Sequence, residues 1–287
     1  MCFPLSLIDK FIVWPQGKLK LDAHQVWTIS KKNFLLTQLT LSASTRYDGL
    51  ADAFSQSLHG GNAMITFYGQ PKFANIDSAT TASGYELLIR QQVDGRWLLP
   101  EDFTALPPDQ FEYLLRKALQ AIPPTITRVS FNLERVHFVN PQFLAMVQRV
   151  QADTDVTLTV ELTERYDPNI DNLTIVHAAK AFFDAGIEVV VDDVGSGNNL
   201  PGLVEALTPY VVGYKFGIQN LRPYATDADL LDRLGFWAEQ AERKHKRFEI
   251  AGVESLDDVE NTQAIPACSD IQGYYFGQPV PLSTEDL

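Results

Sequence analysis

Apolar and polar positions between about residues 62 and 282 follow two alternating patterns. Short apolar runs rich in Val, Ile, Phe and Tyr predict strands, and segments with apolar residues three and four apart predict helices. In chain order the predicted strands are AMITFYGQPKF, GYELLIR, RVSFNLER, VTLTVELTE, GIEVVVDDV, YVVGYKF, FEIAGVE and DIQGYYFG. Strands that alternate with helices need crossover connections, which predicts a mostly parallel α/β sheet. Eight strands in roughly 225 residues fit a TIM (β/α)8 barrel, and a doubly wound open sheet is the alternative.

Four of the intervening segments have clear helical periodicity: FEYLLRKALQAI, NPQFLAMVQRVQ, LTIVHAAKAFFDAG and ADLLDRLGFWAEQAERKHK. Asn140, before Pro141, and Asp171 have side chains suited to cap a helix start, and Gly186 is suited to follow a helix end.

Residues 1–61 do not follow this alternation of strand and helix patterns. FIVWPQGKLKL predicts a hairpin around a Pro-Gln-Gly turn, and YDGLADAFSQSLHGG predicts a helix that ends at Gly60 and Gly61. The sequence thus predicts a small N-terminal extension, residues 1–61, followed by a barrel domain, residues 62–287.

The composition restricts the partners. The 287 residues carry a formal net charge of -13, which argues against binding a long nucleic acid or an anionic membrane surface. No apolar run reaches the length of a membrane span. Cys2 and Cys268 form neither a disulfide framework nor a metal-ligand spacing, which favours a reducing, cytoplasmic location.

Nearly every predicted strand carries an acid, amide or lysine, usually near its C-terminal end. These residues are Glu86, Asn132, Glu161, Asp192, Asp193, Lys215, Glu254 and Gln272. In a barrel those ends meet at one mouth, where active sites lie. Carboxylate and amide oxygens suit Mg²⁺ or Mn²⁺. Two adjacent aspartates after the apolar run VVV repel each other, so we expect a cation beside them.

Single residues have simpler explanations. Glu86 would pair with Arg90 on the same strand face, Asp193 would cap the following turn, and Lys215 would extend its ammonium to solvent. Independent causes would scatter polar residues over both strand ends. Their joint position at one end favours a site.

The order YELLIR, FNLER, ELTE, DDVGSG, YKFG, AGVE and QGYYFGQPVP, preceded by GQPKF, resembles the EAL-domain family of cyclic di-GMP (c-di-GMP) phosphodiesterases. The resemblance covers about residues 62–282. It implies a barrel whose first strand is antiparallel to the others. It also implies hydrolysis of one phosphodiester bond of c-di-GMP to linear pGpG with two Mg²⁺ or Mn²⁺ ions.

The resemblance also implies roles for individual residues. The first metal would be held by Glu86, Asn132, Glu161 and Asp192. Asp192 would bridge to a second metal, which Asp193 also binds. Lys215 would orient the nucleophilic water, Gln272 would support the site, and Glu164 would anchor the loop DDVGSGNN. Gln70 and Arg90 match positions that contact the substrate.

The sequence departs from the family pattern at three places. Ala251, in EIAGVE, stands where AEGVE has a glutamate that binds the second metal, which weakens that site. Glu249 and Glu254 are the candidates to compensate, although Glu249 is ~6.6 Å further back along the strand. The loop reads DDVGSGNN where the family has DDFGTGYS, and YKFG lacks the aspartate of LKID.

Three hypotheses therefore stay open: a weak or metal-demanding phosphodiesterase, a non-hydrolysing c-di-GMP receptor that signals to a protein partner, and an interaction module that no longer binds nucleotide. An unrelated metal-dependent barrel enzyme is a remote fourth. The family resemblance also predicts a homodimer. The altered loop DDVGSGNN weakens that prediction.

Overall fold

The structure is a computed structural model that describes residues 64–74, 81–222, 227–263, 265 and 268–282. The hairpin and helix predicted within residues 1–61 lie outside the described residues, as does the predicted boundary at residue 61.

Ten strands form one sheet among the described residues. They are β1 (Ile65–Lys72), β2 (Gly84–Val93), β3 (Arg96–Leu98), β4 (Arg128–Leu133), β5 (Thr157–Leu162), β6 (Glu188–Val191), β7 (Gly213–Gly217), β8 (Arg247–Ala251), β9 (Cys268–Ile271) and β10 (Val280–Pro281). All eight predicted strands are present. The short strands β3 and β10 were not predicted.

The helices of the described residues are α1 (Pro108–Ala121), α2 (Arg135–Phe138), α3 (Pro141–Ala152), α4 (Asn172–Asp184), α5 (Pro201–Leu207), α6 (Ile218–Leu221), α7 (Asp227–Arg243) and α8 (Leu256–Gln263), with a 3₁₀ turn at Thr208–Tyr210. None of these helices combines the length and the apolar character needed to cross a membrane.

The predicted helix boundaries of α3 and α4 are confirmed. Asn140 accepts a hydrogen bond from the backbone N–H of Gln142 at 2.9 Å, and Asp171 accepts one from Thr174 at 2.8 Å. After α4, Gly186 has a φ of 72°, the left-handed conformation that glycine adopts without strain.

The strand order is β10-β1-β2-β4-β5-β6-β7-β8-β9, and β3 pairs antiparallel with the end of β2. β1 pairs antiparallel with β2, and the pairs from β2 and β4 through β8 and β9 are parallel. An antiparallel bridge between Phe73 and Ile271, with N–H···O distances of 2.9 and 2.8 Å, brings β1 against β9. The fold is therefore a modified (β/α)8 barrel with an antiparallel first strand, as predicted, rather than an open sheet.

The parallel strands β4 to β9 bury both faces, and the two faces differ in character. On β4, Val129, Phe131 and Leu133 are fully buried in the hydrophobic core. The alternate residues Ser130 and Asn132 face the barrel interior, because successive side chains of a strand point to opposite faces. The polar side chains of the other strands enter the same interior.

Several strands end earlier than their sequence pattern predicts. β6 ends at Val191, so Asp192 and Asp193 lie in the following turn, and β4 gives way to α2 at Arg135. An apolar run predicts which residues are buried, and residues remain buried after the last hydrogen bond between two strands. The functional side chains therefore lie on the first residues after the strands as well as on the strands themselves.

Candidate metal and substrate site

A cavity of about 250 Å³ opens at the carboxyl ends of the parallel strands. Its lining includes most of the polar residues singled out in the sequence: Glu86, Asn132, Glu164, Asp192, Asp193 and Lys215, with Ala251, Gln219 and Asn220 beside them. The tertiary structure thus brings together residues that are separated by up to 165 positions in the chain.

The ammonium group of Lys215 lies at the centre of the site. Its Nζ donates to Glu86 Oε2 at 2.8 Å and to Glu161 Oε2 at 2.6 Å, and lies 3.5 Å from Asp192 Oδ1. The Lys215 side chain is only 5% exposed, and that of Glu161 is completely buried. Three carboxylates, two on strands β2 and β5 and one in the turn after β6, therefore converge on one positive charge.

The site holds its central groups in their charged forms. Burial acts to lower the pKa of Lys215, but the carboxylates of Asp192, Glu161 and Glu86 outweigh it and raise that pKa well above its usual value. Burial acts to raise the pKa of Glu161, and the ammonium groups of Lys215 and Lys72 outweigh it, so that the pKa of Glu161 falls below its ordinary range.

The two adjacent aspartates are in a different state. Burial raises the pKa of Asp192 well above its usual value, and the negative charge of Asp193 adds to the effect against the opposing pull of Lys215. Burial likewise raises the pKa of Asp193 to about 6. The single ammonium does not neutralise all of these carboxylates, so the site favours additional positive charge.

The turn after β6 is held in an unusual backbone conformation. Asp193 has a φ of 46°, in a region that residues with side chains rarely adopt. The buried side chain of Asn199 donates to the carbonyls of Asp192 at 2.6 Å and Leu162 at 3.1 Å, and Arg135 donates to Asn199 at 3.2 Å. These bonds fix the direction in which the two aspartates point.

Glu86 is positioned by two amides. Asn132 Nδ2 donates to Glu86 Oε1, and Gln272 Nε2 donates to Glu86 Oε2, both at 2.7 Å. Gln272 also donates to Gln70 at 2.8 Å. Gln70 in turn donates to the carbonyl of Gly277 at 3.0 Å.

The oxygen atoms of the site are suited to bind a divalent cation. The carbonyl oxygen Oδ1 of Asn132 is buried and lacks a hydrogen-bond partner. An amide oxygen in that state beside Glu86, Glu161 and Asp192 completes a set of hard oxygen donors. The donor set fits Mg²⁺, Mn²⁺ or Ca²⁺ by its chemistry.

Glu164 lies between the aspartates and the loop that follows them. One carboxylate oxygen each from Glu164, Asp192 and Asp193 lie within 4.8 Å of one another. The carbonyl of Glu164 accepts from the backbone N–H of Asn198 at 2.8 Å. Gly197 packs so closely on Glu164 that a Cβ there would lie 2.8 Å from its Cγ.

Three predicted residues neither line this cavity nor bond to the residues around Lys215 described above. Glu249 points deeper into the barrel, where it binds Lys72 at 2.7 Å. Glu254 is exposed and pairs with Arg222 at 3.1 Å. Arg90 lies over the ring of Tyr68 at 5.7 Å and lines a neighbouring cavity of about 120 Å³, which shares Asn132 with the main one.

The fold of this chain is similar to that of several solved structures. The PaMucR phosphodiesterase in a c-di-GMP complex has a TM-score of 0.65 and 18% identity, and the match covers 83% of this chain and 99% of that one. The Bacillus subtilis YkuI protein, with an EAL domain, in complex with c-di-GMP and calcium, has a TM-score of 0.60 and 17% identity over 76% of this chain and 56% of that one. The EAL domain of FimX from Pseudomonas aeruginosa, bound to c-di-GMP, has a TM-score of 0.59 and 16% identity over 79% and 94%. This chain has the EAL-domain fold. Its sequence matches no protein-family model and no curated protein.

On the side of the site next to Asp193, the residues differ from those of the EAL pattern. Ala251 is buried and carries no ligand atom there. The Asn220 amide donates to Asp193 Oδ2. A Cβ at Gly217, which stands where the pattern LKID has its aspartate, would collide with the Asp193 carboxylate.

Sequence reasoning missed four residues of this site. Lys72, Asn199 and Asn220 each bond to a predicted site residue, and Arg135 bonds to Asn199. Lys72 carried the clearest signal, because a lysine inside the apolar strand AMITFYGQPKF needs a buried partner. Asn199 lies in a loop and Asn220 in the short helix α6, and in neither place does the sequence indicate the bonding partner.

Proposed function

We propose that this protein is a c-di-GMP phosphodiesterase of the EAL type that hydrolyses one phosphodiester bond to give pGpG, with a weakened second cation site. The observation that carries the proposal is the convergence of Glu86, Glu161 and Asp192 on Lys215, beside the unpaired oxygen of Asn132. Neighbours with the same fold are named as c-di-GMP complexes, which supports this substrate class.

In this proposal Glu86, Asn132, Glu161 and Asp192 hold the first cation. Asp192 and Asp193 hold the second, Mg²⁺ or Mn²⁺ in each case. When bound, two such ions stabilise the charge that develops on the attacking and leaving oxygens of a phosphodiester. The raised pKa values of the two aspartates express how strongly this side of the cavity favours added positive charge.

The residues of the chain then have defined tasks. Lys215 stays protonated, so its Nζ donates a hydrogen bond to the attacking water and directs a lone pair of that water toward phosphorus. Gln272 holds Glu86 in place through its amide, and Gln70 accepts a hydrogen bond from the same amide. Arg90, in the neighbouring cavity that shares Asn132 with the main one, is available to bind a phosphate or base of the substrate.

A second candidate function is a receptor that binds c-di-GMP without hydrolysing it. The Asn220–Asp193 bond favours it, because the amide occupies an oxygen that a second cation would need. Ala251 favours it as well, because it removes a carboxylate from the same side. A receptor of this kind would act through a protein partner.

We further propose a cytoplasmic location, which the two isolated cysteines favour, and a homodimer as the assembly.

The deciding experiment is a chromatographic time course of c-di-GMP with the purified protein in Mn²⁺. Asp192→Asn serves as the inactive variant and Asp184→Asn, an exposed carboxylate on α4, as the matched control. We expect pGpG from the wild type and from Asp184→Asn, and at least about a hundredfold less from Asp192→Asn. Equal product from Asp192→Asn would refute the cation assignment. Retained nucleotide without product would establish the receptor.

A further inference from the structure

Below the candidate site the barrel interior contains a second buried lysine. Lys72 on β1 donates to Glu161 Oε1 and to Glu249 Oε2, both at 2.7 Å. The side chains of Lys72 and Glu249 are 8% and 7% exposed. Charges so deeply buried are costly unless they are paired and hydrogen-bonded, and here both conditions are met.

The direction of β1 brings Lys72 to this depth. Gln70 is paired with Glu86 in the β1–β2 ladder, and Lys72 is paired with Gly84, the first residue of β2. Because β1 runs against the other strands, the two residues from Gln70 to Lys72 lead away from the cavity mouth. On β8, Glu249 likewise precedes Ala251 by two residues, on the same face.

Glu161 connects this pair to the candidate site. Its Oε1 accepts from Lys72 and its Oε2 accepts from Lys215, so each oxygen has its own lysine. Lys72 therefore holds Oε1 of Glu161 on the side away from the cavity mouth, and Oε2 faces Lys215 in the site. A carboxylate held in this way cannot rotate both oxygens away from a cation bound above it.

We infer that Lys72 and Glu249 are positioning residues that hold Glu161 as a one-oxygen ligand, and that Glu249 is the counter-ion of Lys72 rather than a substitute for the missing carboxylate at Ala251. This inference rests on the proposed function, because it concerns the cation site of that function. It also explains why a glutamate stands two residues before Ala251: the lysine below Glu161 needs a second negative charge, since Glu161 is shared with Lys215.

The test measures Mn²⁺ binding by titration calorimetry, without nucleotide, alongside thermal unfolding in EDTA. The key variant is Lys72→Met/Glu249→Leu, which removes both charges together and keeps apolar volume in their place. Lys72→Met alone leaves two buried carboxylates short of a partner and is expected to unfold more easily. Asp270→Asn is the matched control, because Asp270 lines a small cavity together with Lys72 and Glu249 but bonds to Ser83 and not to Glu161.

We expect the double variant to remain folded at the titration temperature and to bind Mn²⁺ about tenfold to a hundredfold more weakly than the wild type, the usual effect of losing a group that orients a metal ligand. Asp270→Asn should bind like the wild type. Glu249→Gln should lose less than the double variant, because Lys72 still holds Glu161.

Each contrary result has a distinct meaning. Wild-type affinity in the double variant would overturn the positioning role and leave the proposed function intact. A loss in Glu249→Gln as large as in the double variant would overturn the counter-ion assignment and make Glu249 a ligand. If the wild type shows no Mn²⁺ binding that Asp192→Asn abolishes, the proposed cation site fails, and the inference is overturned with it.

Discussion

Gly217 on β7 and Ala251 on β8 are direct partners in the parallel ladder at the mouth of the barrel. They stand at the two positions where the motifs LKID and AEGVE have an acid. Two small residues therefore lie side by side on the wall next to Asp193, and the loss of negative charge is confined to one side of the site. The opposite side, with Glu86, Asn132 and Glu161, keeps every oxygen donor expected there.

The change Ala251→Glu should strengthen the second cation site. The new carboxylate would enter the cavity of about 250 Å³ next to Asp193, and we expect Mn²⁺-dependent turnover to rise at least about tenfold. Ala251→Gln, of the same size and without charge, is the control. An equal effect of both substitutions, or of neither, would show that charge at residue 251 does not limit the reaction.

Removal of the central ammonium should destabilise the protein when no cation is present. Lys215→Met leaves Glu86, Glu161 and Asp192 without their shared partner, and we expect a loss of about 3–5 kcal/mol in the free energy of unfolding in EDTA. Mn²⁺ should restore much of this loss, because it supplies the missing positive charge. Lys180→Met, which breaks an exposed pair with Asp184, should change the free energy of unfolding far less, because solvent screens that pair. A Lys215→Met protein as stable as the wild type in EDTA would contradict the charge balance described here.

The two aspartates should give the metal-free protein a distinctive pH dependence. Because burial raises the pKa of Asp193 to about 6 from an ordinary 3.8, the folded state binds this proton more tightly than the unfolded state. The stabilisation from Asp193 is therefore complete below pH 3.8 and is lost as the pH rises through about 6. Glu161 acts in the opposite sense, since its pKa is lowered and its stabilisation is lost as the pH falls below 4.5.

The difference between wild type and Asp193→Asn isolates the first of these effects. Urea unfolding in EDTA between pH 4 and 7 should show the wild type losing stability relative to the variant as the pH rises. Mn²⁺ should reverse the trend, because it binds the ionised carboxylate. Parallel curves in EDTA would mean that Asp193 is not buried as described.

Cys268 should be an unreactive thiol in the folded protein. Burial, reinforced by the charges of Asp270 and Glu249, raises the pKa of Cys268 to about 12, so only about 10⁻⁴ of it is thiolate at pH 8. In a Cys2→Ser background, we expect iodoacetamide to react with Cys268 at least about a hundredfold more slowly in buffer than in urea. Similar rates in both would place this end of β9 in solvent.

The sequence by itself determined the eight predicted strands, the capped helices and the end of the barrel where polar residues meet. These features follow from local periodicity and from single side chains such as Asn140 and Asp171, whose bonding partners lie within three residues. It could not indicate β3 or β10, which are too short to carry a pattern.

Only the tertiary structure decided which interior side chains meet. Periodicity tells that Lys72 and Glu249 face inward, yet their contact depends on the antiparallel direction of β1 and on how the strands are offset around the barrel. The same holds for Asp193, in the turn after β6, and Asn220, in the short helix α6 after β7. The pattern of a strand specifies the face on which a side chain lies. The closure of the sheet into a barrel specifies which other side chain it contacts on that face.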